Sequence, residues 1–303
     1  MNKLFFYKDL DSHYVLNIMG IRLCIKHKCK FKYTEAPAVG VNTDSKREPK
    51  LIISLASYPA RIKTVHITIN TLLQQTLKPD KVILWLAQEQ FPNAEKDLPK
   101  DLLRLKEYGL EIEWCEDDVK SYKKLVPALI KYPDDIIVTA DDDVYYQPNM
   151  LESLYNAYLK NPQNIYVKRS VKLHLNNGYP EGISSRKYFY KHLTEPSYFN
   201  QIMGGSGCLY PPHSLYKDCT DTDIIRSTIP THDDAYFWSM AVLNRTKIQV
   251  VGGFDENLYF VDGTQDIGLM HTNKRGQEGI QLEDAYKIMI NRYPNILNIL
   301  NEH

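Results

Sequence analysis

The sequence predicts an α/β fold: a mostly parallel sheet flanked by helices, followed by an irregular second half. Three observations carry that expectation. Four short β-rich runs, "KLIISLAS", "KVILWLA", "LEIEWCE" and "DIIVTA", recur between residues 50 and 140. Segments with helical spacing separate them. The runs are apolar throughout instead of alternating, as befits strands covered on both faces.

The elements follow in order. "KLIISLAS" is the first strand, closed by "YPAR", after which Ile62, Val65, Ile69, Leu72 and Leu73 recur at a helical period. "KVILWLA" (81–87) is the second strand. "DLLRLKEYG" is a helix stopped by Gly109, and "LEIEWCE" is the third strand. "YKKLVPALIKY" is helical, with Pro127 either in the first turn or at a kink. "DIIVTA" is the fourth strand and "NMLESLYNAYLK" the helix after it. Beyond Ile165 the rhythm breaks: "NNGYP" is a turn, "GGSGCLYPP" a glycine-rich loop, "DDAYFWSMAVLN" a helix and "KIQVV" a strand. Ahead of the first strand, residues 37–49 ("PAVGVNTDSKREP") are polar and aperiodic, and read as a linker. The expected division is a prefix and linker over 1–48 and one domain over 49–303, with halves at 49–170 and 171–303.

At 303 residues, 43% hydrophobic and 24% charged, the chain has ordinary globular composition. Lys+Arg and Asp+Glu balance at 37 each, without the basic excess of a nucleic-acid binder. Five scattered cysteines, an odd number, favour free thiols in a reducing compartment. "CIKHKC" lacks a second ligand pair at zinc-finger spacing. The N-terminus makes a poor signal peptide, and "YVLNIMGIRLCI" is too short to span a bilayer. The expectation is a cytoplasmic protein. The basic tract "KHKCKFK" reads first as a solvated hairpin edge, and second as a peripheral contact with the inner face of the membrane.

Chemistry concentrates at two acidic stretches. Asp141, Asp142 and Asp143 end the fourth strand, where ligands of open α/β sheets bind. On a continuing strand Asp141 and Asp143 would face one way and Asp142 the other. Carboxylates held together are costly unless a proton or cation lies between them, and hard oxygens suit Mg²⁺ or Mn²⁺. A solvated loop start is the bland account. However, the chain has neither G-x-G-x-x-G after its first strand nor G-x-x-x-x-G-K-[ST], so a bound diphosphate would need a cation. The second stretch is His232-Asp233-Asp234 at a helix start. Capping explains one acid there but explains two less well, and a carboxylate across a cleft from a metal suits a general base.

Together "IISLASYPARI", "QTLKPDKVILWLA", "SYKKLVPAL", "TADDDVYY", "GGSGCLYPP" and "THDDAYFWSMAVLN" resemble bacterial GT-A (Rossmann-like) glycosyltransferases. The likeness is to the family 2-like enzymes of capsule and lipopolysaccharide synthesis. It implies a nucleotide-sugar-binding first half, an acceptor and catalytic second half, and a nucleotide-sugar donor, usually a UDP-sugar. By position it implies Asp143 as the direct metal ligand for Mn²⁺ or Mg²⁺, with Asp141 in support and Asp142 facing the donor ribose or sugar. Ser57, Tyr58 and Arg61 would hold base and diphosphate, Tyr58 by stacking and Arg61 on phosphate oxygens. A packed loop aromatic is the other account of Tyr58. Asp118 and Lys124 would add donor contacts, whereas Lys123 reads as surface charge. His271 is implied as a third metal ligand, against a structural role. The base would be Asp234, with Asp233 its rival, because His-Asp-Asp departs from the Glu-Asp of many members. The implied activity is hexosyl transfer, inverting, to a glycan or lipid-linked glycan acceptor, with no nucleic-acid partner. Two alternatives stand beside it: a nucleotidyltransferase, for which a triphosphate loop is missing, and a non-catalytic carbohydrate-binding protein on a degenerate transferase fold.

Overall fold

A computed structural model describes residues 5–10, 13–18, 21–26, 40–44, 46–182, 193–252, 258–265 and 280–302. Strands β1 (Phe5–Leu10), β2 (His13–Ile18) and β3 (Ile21–Lys26) form an antiparallel meander whose described pairings are internal.

The first half then builds one side of a central sheet. In chain order come β4 (Leu51–Ala56), α1 (Val65–Leu73), β5 (Lys81–Ala87), α2 (Lys100–Arg104), β6 (Leu110–Cys115), α3 (Val126–Lys131) and β7 (Ile136–Ala140). All four strands run parallel. Their side chains divide by parity as a pleated strand requires. Ile52, Ile83 and Ile137 enter the core on one face, while Leu51, Ile53, Leu84 and Val138 enter the core on the other. That two-sided burial is why the strands read as unbroken apolar runs. Gly109, at φ 99°, takes the left-handed conformation that ends the helical stretch before β6. Pro127 lies in the first turn of α3, where its missing N–H costs nothing.

Next in the chain are β8 (Val144–Tyr145), α4 (Met150–Lys160), β9 (Ile165–Val167), β10 (Leu173–Asn176), β11 (Tyr179–Gly182) and β12 (Cys208–Tyr210). They are followed by α5 (Thr222–Ser227), α6 (Asp233–Leu243), β13 (Ile248–Val250), β14 (Tyr259–Phe260), α7 (Leu282–Arg292) and α8 (Asn295–Asn301). The central sheet has seven strands in the order β13-β9-β12-β7-β4-β5-β6, and β12 alone runs antiparallel to its neighbours. This corrects one expectation: "GGSGCLYPP" is not wholly loop, because Cys208–Tyr210 is a strand near the centre of the sheet. Three buried residues behind a run of glycines leave too short an apolar signal to register. "NNGYP" is the expected turn, with Asn177 (φ 50°) and Gly178 (φ 81°) joining β10 to β11.

Residues 40–44 and 46–50 lie against the sheet. Asp80 gathers them, accepting from Asn42 Nδ2 (2.7 Å), Leu51 N–H (2.7 Å) and Arg47 (2.8 Å). A β-carbon at Gly40 would collide with the Tyr108 carbonyl. The polar residues that suggested a tether instead fasten this stretch to the sheet.

The chain winds from β4 outward to β6, then returns to place β7 on the other side of β4. The carboxyl ends of β4 and β7 therefore border a topological switch point, where such sheets open a crevice. Among the described residues no helix is long and apolar enough to cross a membrane.

Candidate active site

A cavity of about 850 Å³ opens at that switch point. Ser57 and Tyr58 enter it from the end of β4, and Asp141 to Asp143 from the end of β7. Asp118 and Lys124 line it from the segment between β6 and α3, and Asp233 and Asp234 from the first turn of α6. With Arg61, this cavity collects every site residue expected from the sequence except His271, which lies outside the described residues.

The aspartate run is organised differently from the expected alternation. β7 stops at Ala140, so Asp142 and Asp143 occupy a turn and not a strand. Both reach Arg61: its Nη1 lies 2.6 Å from Asp142 Oδ1 and 3.0 Å from Asp143 Oδ2. Ser57 Oγ donates to Asp142 Oδ2 (2.6 Å), and Gln265 Nε2 donates to Asp143 Oδ2 (2.8 Å). Asp141 points elsewhere, to Lys124 Nζ at 2.7 Å. The partition is therefore Asp142 with Asp143 and Asp141 apart. Arg61, expected on phosphate oxygens, sits on carboxylates.

Lys124 links the two acidic stretches. Its ammonium also lies 3.0 Å from Asp233 Oδ2, an ionic contact outside hydrogen-bond geometry. Asp233 Oδ1 accepts from Ser121 Oγ (2.9 Å), and Asp234 Oδ1 accepts the Gly204 N–H (2.9 Å). Neither aspartate serves as N-cap of α6; that position belongs to His232, whose imidazole donates instead to the Ile280 carbonyl. The backbone of Lys124 is fixed as well, since its carbonyl accepts from Ser54 Oγ (2.6 Å), which in turn accepts from Trp85 Nε1 (2.9 Å). Lys123, expected at the surface, is buried and paired with Asp118, because the 3₁₀ turn over Lys120–Lys124 aims both lysines inward. Gln90 Nε2 donates to the other Asp118 oxygen (2.8 Å).

The glycines of "GGSGCLYPP" permit close approach at the site. A β-carbon at Gly205 would strike Asp141 Oδ2, and one at Gly204 would stand 3.1 Å from Asp234 Oδ1 and 3.3 Å from Lys124 Nζ. Tyr146 secures the approach, donating from its hydroxyl to the Gly205 carbonyl (2.8 Å) while accepting the Asp141 N–H (2.8 Å). Tyr146 and Gln265 were not legible as site residues. Their role arises from chain crossings that separate partners by 59 to 122 positions.

Electrostatics show where charge is under-compensated. Burial, then the charge of Asp141, pushes the Asp143 carboxyl up to about 6. Burial also raises Asp142, opposed by Arg61 and by the hydroxyl of Ser57. Burial and the adjacent Asp233 push Asp234 up to about 7. For Lys124, burial would depress the ammonium, but Asp141, Asp233 and Asp234 outweigh it and hold its pKa well above the usual lysine range. Among the described residues lining the cavity, seven carboxylates face five cations. No group of three His, Cys, Asp or Glu side chains gathers as a metal cluster among the described residues.

No protein-family model matches the chain, and no curated protein matches it in sequence. Its fold is similar to that of S. aureus TarS 1–349 in complex with UDP-GlcNAc: 17% identity, TM-score 0.54, covering 84% of this chain and 71% of that one. A second crystal structure of S. aureus TarS 1–349 matches at 14% identity and TM-score 0.45, over 70% of this chain and 60% of that one. The chain thus spans less than two thirds of that structure. The mannosyltransferase PcManGT from Pyrobaculum calidifontis, in complex with GDP-Man and Mn²⁺, matches at 11% identity and TM-score 0.48, over 86% and 76%. The 4-diphosphocytidyl-2C-methyl-D-erythritolsynthase from Anaerococcus prevotii matches at 16% and 0.46, over 74% and 97%. At these identities the likeness is one of fold.

Proposed function

We propose that the chain is a metal-dependent GT-A glycosyltransferase that moves a hexosyl group from a nucleotide sugar, most simply a UDP-sugar, to a glycan or lipid-linked glycan acceptor. One observation carries this: a single crevice at the carboxyl ends of β4 and β7 holds both acidic stretches with carboxylates in excess. A nucleotide diphosphate would be repelled there unless a dication came with it. The fold likeness to TarS 1–349, solved with UDP-GlcNAc, supports the same reading.

The donor set fits such an ion. Hard carboxylate oxygens face the cavity, and Asp143, raised by burial and then by the charge of Asp141, is a carboxylate whose ionised form a cation would favour. Mg²⁺ and ions like it commonly take only one or two carboxylates and draw their other ligands from phosphates and water. Asp143 and Asp141 would hold it, with His271 the further ligand the family resemblance implies. When bound, the ion would offset charge developing on the departing diphosphate.

The remaining work falls to this chain's own side chains. Tyr58 and Asp118 would meet the nucleoside, and Ser57, Arg61, Lys124 and Asp142 would border the phosphates and sugar. Asp234 is assigned as base. Asp233 is committed to Ser121 and Lys124, whereas Asp234 is partly buried, steadied by one backbone N–H and raised toward neutrality, as a general base requires. Its carboxylate would take the acceptor hydroxyl proton as that oxygen attacks the anomeric carbon and the nucleoside diphosphate leaves, which inverts configuration. In this reading the enzyme serves surface-polysaccharide synthesis in the cytoplasm, with residues 1–48 a prefix that can rest on the inner membrane face, and 49–303 the catalytic unit.

The test is incubation of wild type, Asp143→Ala and Asp234→Ala with a panel of nucleotide sugars and Mn²⁺. Release of sugar by wild type, lost in Asp143→Ala, supports the reading. Asp234→Ala should bind donor and fail to transfer. Pyrophosphate release from a nucleoside triphosphate would favour a nucleotidyltransferase, and glycan binding without turnover a non-catalytic protein.

A further inference from the structure

Arg61 is held by carboxylates at the mouth of β4 and β7. Its side chain is 11% exposed, its Nη1 sits between Asp142 and Asp143, and its Nη2 donates to the Thr264 carbonyl (3.2 Å). One guanidinium thus neutralises two of the three aspartates and reaches the segment that follows β14, whose Gln265 shares Asp143 and whose Val261 N–H donates to the Asp143 carbonyl (2.8 Å). The fork is nevertheless incomplete. Arg61 Nε is buried with no hydrogen-bond partner among the described residues. Buried donors are ordinarily satisfied, and guanidinium is strongest in bidentate pairing with a planar or tetrahedral oxyanion.

Resting on the transferase reading above, we infer that Arg61 is the resident counter-cation of the aspartates in the donor-free protein, so that a divalent ion enters together with the nucleotide diphosphate and not ahead of it. A lone dication approaching Asp143 meets the like charge of Arg61 a hydrogen-bond length away. The same ion arriving on a diphosphate brings its own compensating negative charge. Arg61 is in this account a positioning residue for metal and donor, and it sets their order of binding.

The experiment measures Mn²⁺ binding to donor-free protein by electron paramagnetic resonance of the free ion, for wild type, Arg61→Gln and Arg61→Lys. A single removed charge this close should tighten Mn²⁺ binding to Arg61→Gln by about tenfold or more, with Arg61→Lys near wild type. In the presence of UDP the order should reverse, Arg61→Gln holding UDP with Mn²⁺ more weakly than wild type. Equal or weaker binding of Mn²⁺ alone by Arg61→Gln overturns the inference and leaves the metal-dependent transferase intact. Should Arg61→Gln not fold, amide hydrogen exchange of wild type at residues 258–265 decides instead. UDP with Mn²⁺ should alter it where Mn²⁺ alone does not, and an equal change from Mn²⁺ alone overturns the inference. Failure of every protein to bind Mn²⁺, with or without UDP, sinks the metal-dependent reading itself and this inference with it.

Discussion

Lys124→Met is the perturbation whose size the structure best defines. Methionine keeps most of the side-chain volume and removes the charge. It leaves Asp141 and Asp233 facing each other and Asp234 without the ammonium between them. Stripping one partner from a buried ion pair costs about 3–5 kcal/mol. The lysine side chain is 9% exposed and that of Asp233 13%, but that of Asp141 is 36%, and solvent screens that arm. The expected loss is therefore about 3 kcal/mol, or roughly 6–12 °C in melting temperature for a domain of this size. Urea denaturation of metal-free protein at pH 7 measures it. Asp233→Asn in the same background should recover part of the loss, because it removes one stranded charge. The pH dependence has a defined sign. The raised lysine pKa keeps the pair's contribution in place through neutral pH and up to the ordinary lysine range, and it is lost only as pH climbs through the raised value, so the two proteins should converge in strong alkali. A variant within about 0.5 kcal/mol of wild type at pH 7 would refute the claim that this ammonium holds the two acidic stretches together.

Three further outcomes are expected. With Asp234 raised to about 7, its catalytically competent carboxylate forms only as pH climbs through that value, so transfer should rise across pH 6 to 8 and that limb should vanish in Asp234→Asn, read from pH–rate profiles. Gly205→Ala should cost about 1–3 kcal/mol and disable transfer together, because the new methyl displaces a carboxylate already tied to Lys124; urea melts and a donor assay check it. Burial lowers Lys168 to about 7, with Ser153 Oγ 3.1 Å away, so the unfolded chain binds more protons between pH 7 and 10.5 and stability should rise with pH across that window. Lys168→Met should flatten that slope in thermal melts.

Much of the first half was legible because local signals suffice there. Apolar runs such as "KVILWLA", the helix stop at Gly109 and the first-turn Pro127 reflect burial on two faces and backbone geometry that each residue carries with it. The aspartate run and Asp233-Asp234 stood out for the converse reason: clustered charge is costly enough to need an explanation. What the sequence concealed was pairing. Nothing local distinguishes Lys124, bound to Asp141 and Asp233, from a surface lysine, since the partner in α6 lies 109 positions away. Lys123 was misplaced for the same reason. Strand alternation failed at Asp141–Asp143 because the hydrogen-bonded strand ends one residue earlier, which no propensity scale resolves. Cys208–Tyr210 was lost among glycines because a three-residue strand draws its stability from β7 and β9 on either side, not from its own composition.

Calorimetric titration of UDP-sugars into the protein, with Mn²⁺ and then with chelator, bears most directly on whether the acid-rich crevice receives a diphosphate through a shared dication. Heat of binding that requires Mn²⁺ and disappears in an Asp143→Asn protein of wild-type stability is the predicted result. Donor binding of equal strength in chelator, or undiminished in Asp143→Asn, would contradict it.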